Sequence, residues 1–211
     1  MSPRIVSTEE KEQKRKDILD TAARLWEKHP ETIVNMSELA KATGIAKGSL
    51  YLHFRSKEDI FLSLHERHVH QFFNELMQKS TKSDAMTTDD VVFLVHDYIA
   101  KSPSFLPLAT LAHGMLERQV PLDMGIEFKE RISGHLQETV DALQKHFPAL
   151  TIMLMTQSYA LMLGLWQLLR PTALNDLVRE RELFCAEDYF VLLENGLHAL
   201  WSSAASLENL S

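Results

Sequence analysis

Residues 35–59 contain closely spaced signals that start and stop helices, and these signals divide the stretch into short helices joined by tight turns. Asn35-Met36-Ser37-Glu38 has the pattern of a capping box, in which the Asn35 side chain accepts a backbone N–H and Glu38 reaches back to the Asn35 amide. Gly44 suits the left-handed conformation of a sharp turn. The pattern predicts a short helix over residues 37–43, a second over about residues 47–54, and a third that opens at Ser56-Lys57-Glu58-Asp59.

The side chains around this turn fit a helix-turn-helix, in which two short helices at a steep angle pack on the helix before them. Ala40 is the small residue expected where the two helices cross, and Gly44 lies in the turn. A buried face is expected for Leu39, Ile45, Leu50 and Phe54. The outward face of the second helix carries groups able to reach bases and phosphates, namely Lys47, Ser49, Tyr51 and His53, with Lys57 just beyond.

The remainder of the chain repeats apolar residues at steps of three and four, as amphipathic helices do. Gly and Pro number only seven each, which suits a helical protein with few turns. About nine helices are predicted, with no convincing strand and with a polar loop over residues 172–187. The predicted fold is therefore all-α, with a helix-turn-helix domain over residues 1–56 and a larger helical domain over residues 57–211.

The segment from Gly44 to Glu58 resembles the recognition segment of the TetR (tetracycline repressor) family, whose usual pattern is Gly-Val-Ser-Lys-Gly-Thr-Leu-Tyr-x-x-Phe followed by Lys-Glu. The resemblance covers about residues 13–64. It implies a homodimer on double-stranded operator DNA, with a variable C-terminal domain that binds a ligand. It also implies operator contacts from Asn35, Ser37, Ser49, Tyr51, His53 and Lys57, to which we add Lys47 and Gly48 of the same segment.

Within this set, Tyr51 and Lys57 are expected on phosphates, while Lys47, Ser49 and His53 are expected at base edges.

Two departures from the family pattern matter. Ala46 stands where the family usually has Ser, so a side-chain cap worth ~0.5–2 kcal/mol is missing. Lys28-His29-Pro30 replaces the usual Lys-Gly before the second helix, which leaves the path of that loop open.

Formal charge is distributed unevenly along the chain, which carries −7 in all. Residues 1–57 carry +3 and residues 58–211 carry −10. A basic head on an acidic body is expected when only the head meets phosphate. The charge pattern thus supports DNA binding by the first part of the chain.

Other classes of site are not indicated. Cys185 is the only cysteine, so neither a disulfide framework nor a cysteine metal site is expected. His65, His68 and His70 lie on one helix, and the pair at 65 and 68 could hold a metal, although solvated surface is the commoner role for such residues. No metal, cofactor or catalytic residue is predicted, and we do not expect an enzyme. The N-terminus lacks a signal-peptide pattern, which favours a cytoplasmic protein.

Residues 147–169 hold no charged side chain, a length that would suit a membrane span. Polar residues interrupt the stretch, and a helix inside a bundle or between two subunits is the favoured interpretation. Steps of three and four in the last two helices predict a seam for helix packing. The seam faces either the subunit's own core or a dimer interface, and the interface is predicted from Met155, Tyr159, Met162, Phe190, Leu193, Leu197 and Leu200.

The expected ligand is a small hydrophobic or aromatic effector that releases a repressor from its operator. The acidic second domain also favours a cationic effector. Its pocket is predicted to include Phe93, Phe105, Leu108, His113, Met115, Met124 and Trp166. The alternative is a DNA-binding structural or division-linked factor of the same fold with no ligand. An enclosed apolar cavity would favour the sensor, and a solidly packed domain would favour the scaffold.

Overall fold

The computed structural model describes residues 8–30, 32–181, 188–202 and 204, and Cys185 lies outside these residues. The described residues form ten α-helices and one short 3₁₀ helix, Leu116–Arg118, with no strand among them. The all-α prediction is confirmed. In chain order the helices are α1 (Thr8–Lys28), α2 (Met36–Thr43), α3 (Lys47–Tyr51), α4 (Lys57–Lys82), α5 (Thr88–Lys101), α6 (Phe105–Gly114), α7 (Leu122–Leu143), α8 (Ile152–Leu169), α9 (Ala173–Glu180) and α10 (Tyr189–Trp201).

Helix α9 lies inside the stretch predicted to be a polar loop. The Thr172 hydroxyl accepts the backbone N–H of Asn175 at 3.0 Å, which fixes the first turn. The Asn175 side chain donates to the carbonyl oxygens of Leu168 and Arg170, both at 2.9 Å, at the end of α8. A helix this short is marginally stable in isolation. The sequence did not predict it because the hydrogen bonds of Asn175 that stabilise it are made to the end of α8.

The chain packs as two compact units. The first contains the described parts of residues 1–68 and 103–129, and the second contains those of residues 69–102 and 130–211. Helices α4 and α7 therefore each contribute their first turns to one unit and their later turns to the other. The boundary after residue 56 stays a prediction.

Helices α1 to α4 of the first unit enclose a small apolar core. Ile18 and Ala22 of α1 pack with Leu39 and Ala40 of α2, and the core continues through Leu50, Phe54 and Ile60. Ile45 is partly buried against the same cluster, so the predicted buried face is confirmed. Trp26 extends the packing to α6, because its indole N–H donates to the Ser104 carbonyl oxygen at 2.9 Å.

In the second unit, α10 packs against α8 and α5. The indole N–H of Trp201 donates to the Ser158 hydroxyl at 2.9 Å, and the Trp201 ring meets Phe147 edge-on at 5.1 Å. A Cβ atom at Gly196 would lie 2.6 Å from the Leu161 side chain. Glycine at this position therefore allows α8 and α10 to approach closely.

This close packing corrects part of the predicted dimer seam. Met155, Met162, Leu193 and Leu197 are buried within the second unit, so they are not available to a partner subunit. The three-and-four spacing that predicted an interface reflects the contact of α8 with α10 inside the chain. Tyr159, Phe190 and Leu200 are half-buried and remain predicted interface residues.

Helix α8 keeps most of its side chains at least partly exposed although it is strongly apolar. Among the described residues it is the helix whose length and composition would also permit a membrane span. Its exposed side chains include Met153 and Leu168. Both a membrane and a second protein surface are physically able to cover such a face.

Candidate DNA-binding interface

The start of α2 is fixed by the predicted capping box. The Asn35 side-chain oxygen accepts the backbone N–H groups of Ser37 and Glu38 at 2.9 and 3.1 Å. The Glu38 carboxylate accepts the Asn35 N–H at 2.9 Å. The Asn35 side-chain oxygen therefore caps α2. Asn35 and Ser37 both remain exposed at the surface.

The turn between α2 and α3 depends on Gly44, whose φ of 70° and ψ of 18° lie in the left-handed region. Helix α3 begins at Lys47, and its N-cap residue Ala46 makes no side-chain cap hydrogen bond, as the sequence predicted. The helix ends at Tyr51 rather than Phe54, because the N–H groups of Leu52 and His53 bond carbonyls three residues back and tighten the chain into a turn. Helix α3 is therefore about one turn shorter than the helix predicted over residues 47–54.

The outward face of α3 is open. Lys47 and Gly48 are exposed, Tyr51 is half-exposed, and Ser49 is partly covered. Leu50 points inward and is fully buried. A Cβ atom added at Gly48 would have no heavy atom within 4 Å, and its φ is not left-handed. Neither packing nor backbone geometry in the chain therefore requires glycine at position 48.

An open depression of about 580 Å³ lies where α2, α3 and α4 converge. It brings together five of the eight predicted DNA contacts, Asn35, Ser37, Lys47, Tyr51 and Lys57. The remaining three, Gly48, Ser49 and His53, are on or just after α3 and do not line it. Arg55 also lines the depression, although the sequence analysis did not single it out.

His53 lies on the side of the interface that faces α1. Its backbone carbonyl accepts a hydrogen bond from Arg15 Nη1 at 2.7 Å, and its buried Nδ1 has no hydrogen-bond partner. Burial lowers the pKa of the imidazole, and the charges of Lys11, Lys14 and Arg15 lower it further. A lowered pKa favours the neutral ring, in which one nitrogen donates and the other accepts, and the tautomer decides which.

Arg15 is a positioning residue that the sequence analysis missed. Its guanidinium carbon lies 4.0 Å from the centroid of the Phe54 ring, and Nη2 donates to the Ser63 hydroxyl at 2.9 Å. Together with the bond to His53, these contacts join α1 to the segment that follows α3 and to the second turn of α4. The sequence does contain a signal for this residue. Arg15 is spaced three and seven residues before Ile18 and Ala22, which places it on the same face of α1 as these buried residues.

The predicted ligand residues are distributed over both compact units. Phe105, Leu108 and Met124 are buried in the first unit, where His113 is half-buried and Met115 is exposed. Phe93 and Trp166 belong to the second unit; Phe93 is 65% exposed, and the Trp166 ring meets Tyr189 edge-on at 5.8 Å. Phe93 and Trp166 therefore belong to one compact unit and the other five predicted residues to the other.

His65 joins two of those five. Its ring stacks on Phe105 at 6.2 Å and meets His113 edge-on at 5.4 Å. The interpretation of His65 as solvated surface is wrong, since it is 2% exposed and burial holds its pKa well below the usual range. His68 is also largely covered, and burial lowers its pKa to about 4. No group of three metal-ligating side chains occurs in the part of the chain that the structure describes.

Comparison with known proteins places these features in a family. Residues 66–188 match the description "Tetracyclin repressor-like, C-terminal domain", and residues 18–64 match "Bacterial regulatory proteins, tetR family". The chain is 28% identical over 127 residues to a fatty acid metabolism regulator protein of Bacillus subtilis, covering 60% of this chain and 64% of that one. It is 36% identical over 58 residues to the HTH-type transcriptional regulator AcrR of Shigella flexneri, covering 28% and 27%. The chain thus spans less than two thirds of these relatives' length.

Solved structures share the fold at low identity. A transcriptional regulator FadR from Bacillus subtilis in complex with stearoyl-CoA superposes with a TM-score of 0.55 and 18% identity, over 89% of this chain and 98% of that chain. The fatty acid degradation regulator FadR from Bacillus halodurans gives 0.54 and 19%, over 89% and 94%. The family matches cover both the helix-turn-helix and most of the remaining chain, and they confirm the predicted resemblance. This chain belongs to the TetR family of bacterial DNA-binding transcription regulators.

Proposed function

We propose that the chain is a repressor that binds a palindromic operator as a homodimer and leaves it when an apolar effector binds. The depression between α2, α3 and α4 carries the first part of this proposal. Polar and cationic side chains from three helices converge there on an open surface, as a polyanionic backbone requires. A regulator of this kind acts on the chromosome, which supports the cytoplasmic location expected from the sequence.

The arrangement supports a division of roles on the DNA. Lys57 and Tyr51 line the depression and suit phosphate contacts, which fix the position of the head on the duplex. Lys47 and Ser49 are on the outward face of α3 and suit base edges in the major groove. His53 is held by the Arg15 bond to its backbone and suits a contact made as a neutral ring.

The test begins with an operator selected from random duplexes by the purified protein. Its affinity is then measured by fluorescence anisotropy across a salt series for the natural chain, Lys57→Ala and the control Lys145→Ala. Lys145 is exposed on the second unit and is not part of the proposed interface. We expect Lys57→Ala to weaken binding on every sequence and to lower the salt slope by about one counterion, and Lys145→Ala to change neither. Unchanged affinity and slope for Lys57→Ala would contradict the interface.

The dimer is proposed on exposed faces of α8 and α10 rather than on the buried seam. Met153, Gln157, Ala160 and Leu168 are exposed at steps that place them on one side of α8. Gly164 lies on the same side, where a Cβ atom would have no heavy atom within 4 Å. On α10, Val191 and Ala199 are exposed on one side. Small residues between apolar ones suit close helix packing across a two-fold axis.

For the effector, we propose a long acyl chain carried as a thioester. Support comes from the relatives, because one is a fatty acid metabolism regulator and a structural neighbour was solved with stearoyl-CoA. The apolar character matches the effector expected from the sequence. Residues 58–211 carry a formal charge of −10, which disfavours the anionic coenzyme A part of such a thioester. Binding of free coenzyme A is therefore measured separately from binding of the acyl chain.

Stearoyl-CoA, free coenzyme A and stearate are titrated into the protein–operator complex, with anisotropy reporting release. We expect release by stearoyl-CoA, none by free coenzyme A, and weakened stearoyl-CoA binding when operator is present, because coupling is reciprocal. Binding that is equal with and without operator would contradict the effector. If no acyl compound binds while the operator still does, the structural or division-linked role without a ligand becomes the better description.

A further inference from the structure

An exposed ion pair joins the DNA-binding face of the first unit to the start of α7. Arg55 Nη1 lies 2.8 Å from Asp123 Oδ2, and the two side chains are 60% and 61% exposed. Asp123 is in the first turn of α7, while Arg55 lies in the turn between α3 and α4. The two residues are 68 positions apart in the sequence, so the pair is a tertiary contact.

Two further carboxylates act on the same guanidinium. The charges of Glu127 and Asp59 add to that of Asp123, and together they raise the pKa of Arg55, with Asp123 the largest contributor. Asp59 also accepts the Arg55 backbone N–H at 2.8 Å. A pair this exposed contributes little to the stability of the fold, because water and salt screen it. Little folding free energy is therefore lost when the pair opens.

The placement puts a cation and its competitor at the edge of the proposed interface. Arg55 lines the same depression as Lys47, Tyr51 and Lys57. A guanidinium binds carboxylate and phosphate through the same forked geometry, so an approaching phosphate competes with Asp123 for the same N–H groups.

We propose that Arg55 is a DNA-backbone contact that exchanges the Asp123 carboxylate for an operator phosphate, and that Asp123 is a built-in competitor that weakens operator binding. This inference rests on the proposed DNA-binding function and assigns it a regulatory element. Helix α7 begins in the first unit at Leu122 and continues into the second, which starts again at residue 130.

The experiment is a double-mutant cycle on the full chain with Arg55→Gln, Asp123→Asn and the double variant, measured as operator affinity across salt. Asn at 123 keeps an acceptor for the N-terminal turn of α7 and removes only the charge. Glu130→Gln is the matched control, since it removes one exposed carboxylate further along the same helix. Lys57→Ala reports independently whether the DNA face is assigned correctly.

We expect Asp123→Asn to tighten operator binding roughly fivefold, the effect of one unit charge at ~4 Å in water. Arg55→Gln weakens binding and lowers the salt slope by about one counterion. In the Arg55→Gln background, Asp123→Asn gives no further gain, because the carboxylate acts through the guanidinium. Glu130→Gln leaves affinity unchanged, and thermal unfolding of all four variants stays close to that of the natural chain.

An equal gain from Asp123→Asn with and without Arg55 would overturn the exchange, since it would reduce Asp123 to a general negative charge. An unchanged affinity and slope for Arg55→Gln would also overturn it, provided that Lys57→Ala weakens binding. If Lys57→Ala and Arg55→Gln are both without effect, the proposed DNA face itself fails. The two failures are thus distinguished by one variant.

Discussion

Replacement of Gly48 by alanine separates what folding requires at this position from what DNA binding requires. Gly48 is exposed in α3, its φ is not left-handed, and a Cβ atom would meet nothing within 4 Å. Alanine loses less backbone freedom on folding than glycine, so Gly48→Ala should stabilise the protein by about 0.5–1 kcal/mol. A position that folding alone would assign to alanine is therefore occupied by glycine.

Close approach of the operator gives a reason for the missing side chain. If the duplex lies against the α3 backbone at Gly48, an added methyl group must displace it, and overfilling a close contact costs about 1–3 kcal/mol. That range corresponds to roughly 5- to 150-fold in the dissociation constant. Stability and operator affinity should therefore change in opposite directions in the same variant.

The assay pairs urea unfolding, followed by far-ultraviolet circular dichroism, with operator anisotropy on the same preparation at one salt concentration. Gly134→Ala is the matched control, because Gly134 is exposed on α7 and also has nothing within 4 Å of its Cβ position. It should gain similar stability and keep its affinity. Full operator affinity in a stabilised Gly48→Ala protein would refute a close approach at this residue, and a destabilised variant would refute the reasoning about open space.

Three further predictions concern the described contacts. Arg15→Ala should lower the free energy of unfolding by about 2 kcal/mol, because the charge-assisted bonds to His53 and Ser63 and the contact with the Phe54 ring are lost together. In urea unfolding, Arg15→Lys should recover only part of this lost free energy. Burial holds the His68 pKa at about 4 against 6.5 when unfolded, so the unfolded chain binds more protons between these values and the free energy of unfolding should fall as pH drops through that window. Unfolding measured at stepwise pH should show a total loss of up to about 3 kcal/mol across the window, and this loss should be smaller in His68→Gln. Ala160→Glu should yield monomers in light scattering, whereas Ala100→Glu, exposed on α5, should remain dimeric, and a dimeric Ala160→Glu would place the interface elsewhere.

The parts of the fold that sequence alone determined are those whose signals lie within a few consecutive residues. The Asn35–Glu38 capping box, the left-handed Gly44 and the buried Leu50 each follow from local hydrogen bonding or from helical register. Local signals of this kind are sufficient because a cap or a turn is closed by atoms three or four residues apart. The absence of a side-chain cap at Ala46 also follows from the sequence, because an alanine side chain has no atom that can accept a hydrogen bond.

Tertiary structure decided which helix covers which face. The spacing of Leu193 and Leu197 gave an apolar stripe correctly, yet only the approach of α8 at Gly196 shows that the stripe is buried inside the subunit. His65 lies on a polar stretch of α4, and its burial depends on Phe105 from a distant helix. Arg15, Arg55 and Asp123 likewise make side-chain contacts with partners far along the chain. Periodicity specifies that a face will be covered, whereas the identity of the covering surface depends on packing between segments that sequence spacing does not relate.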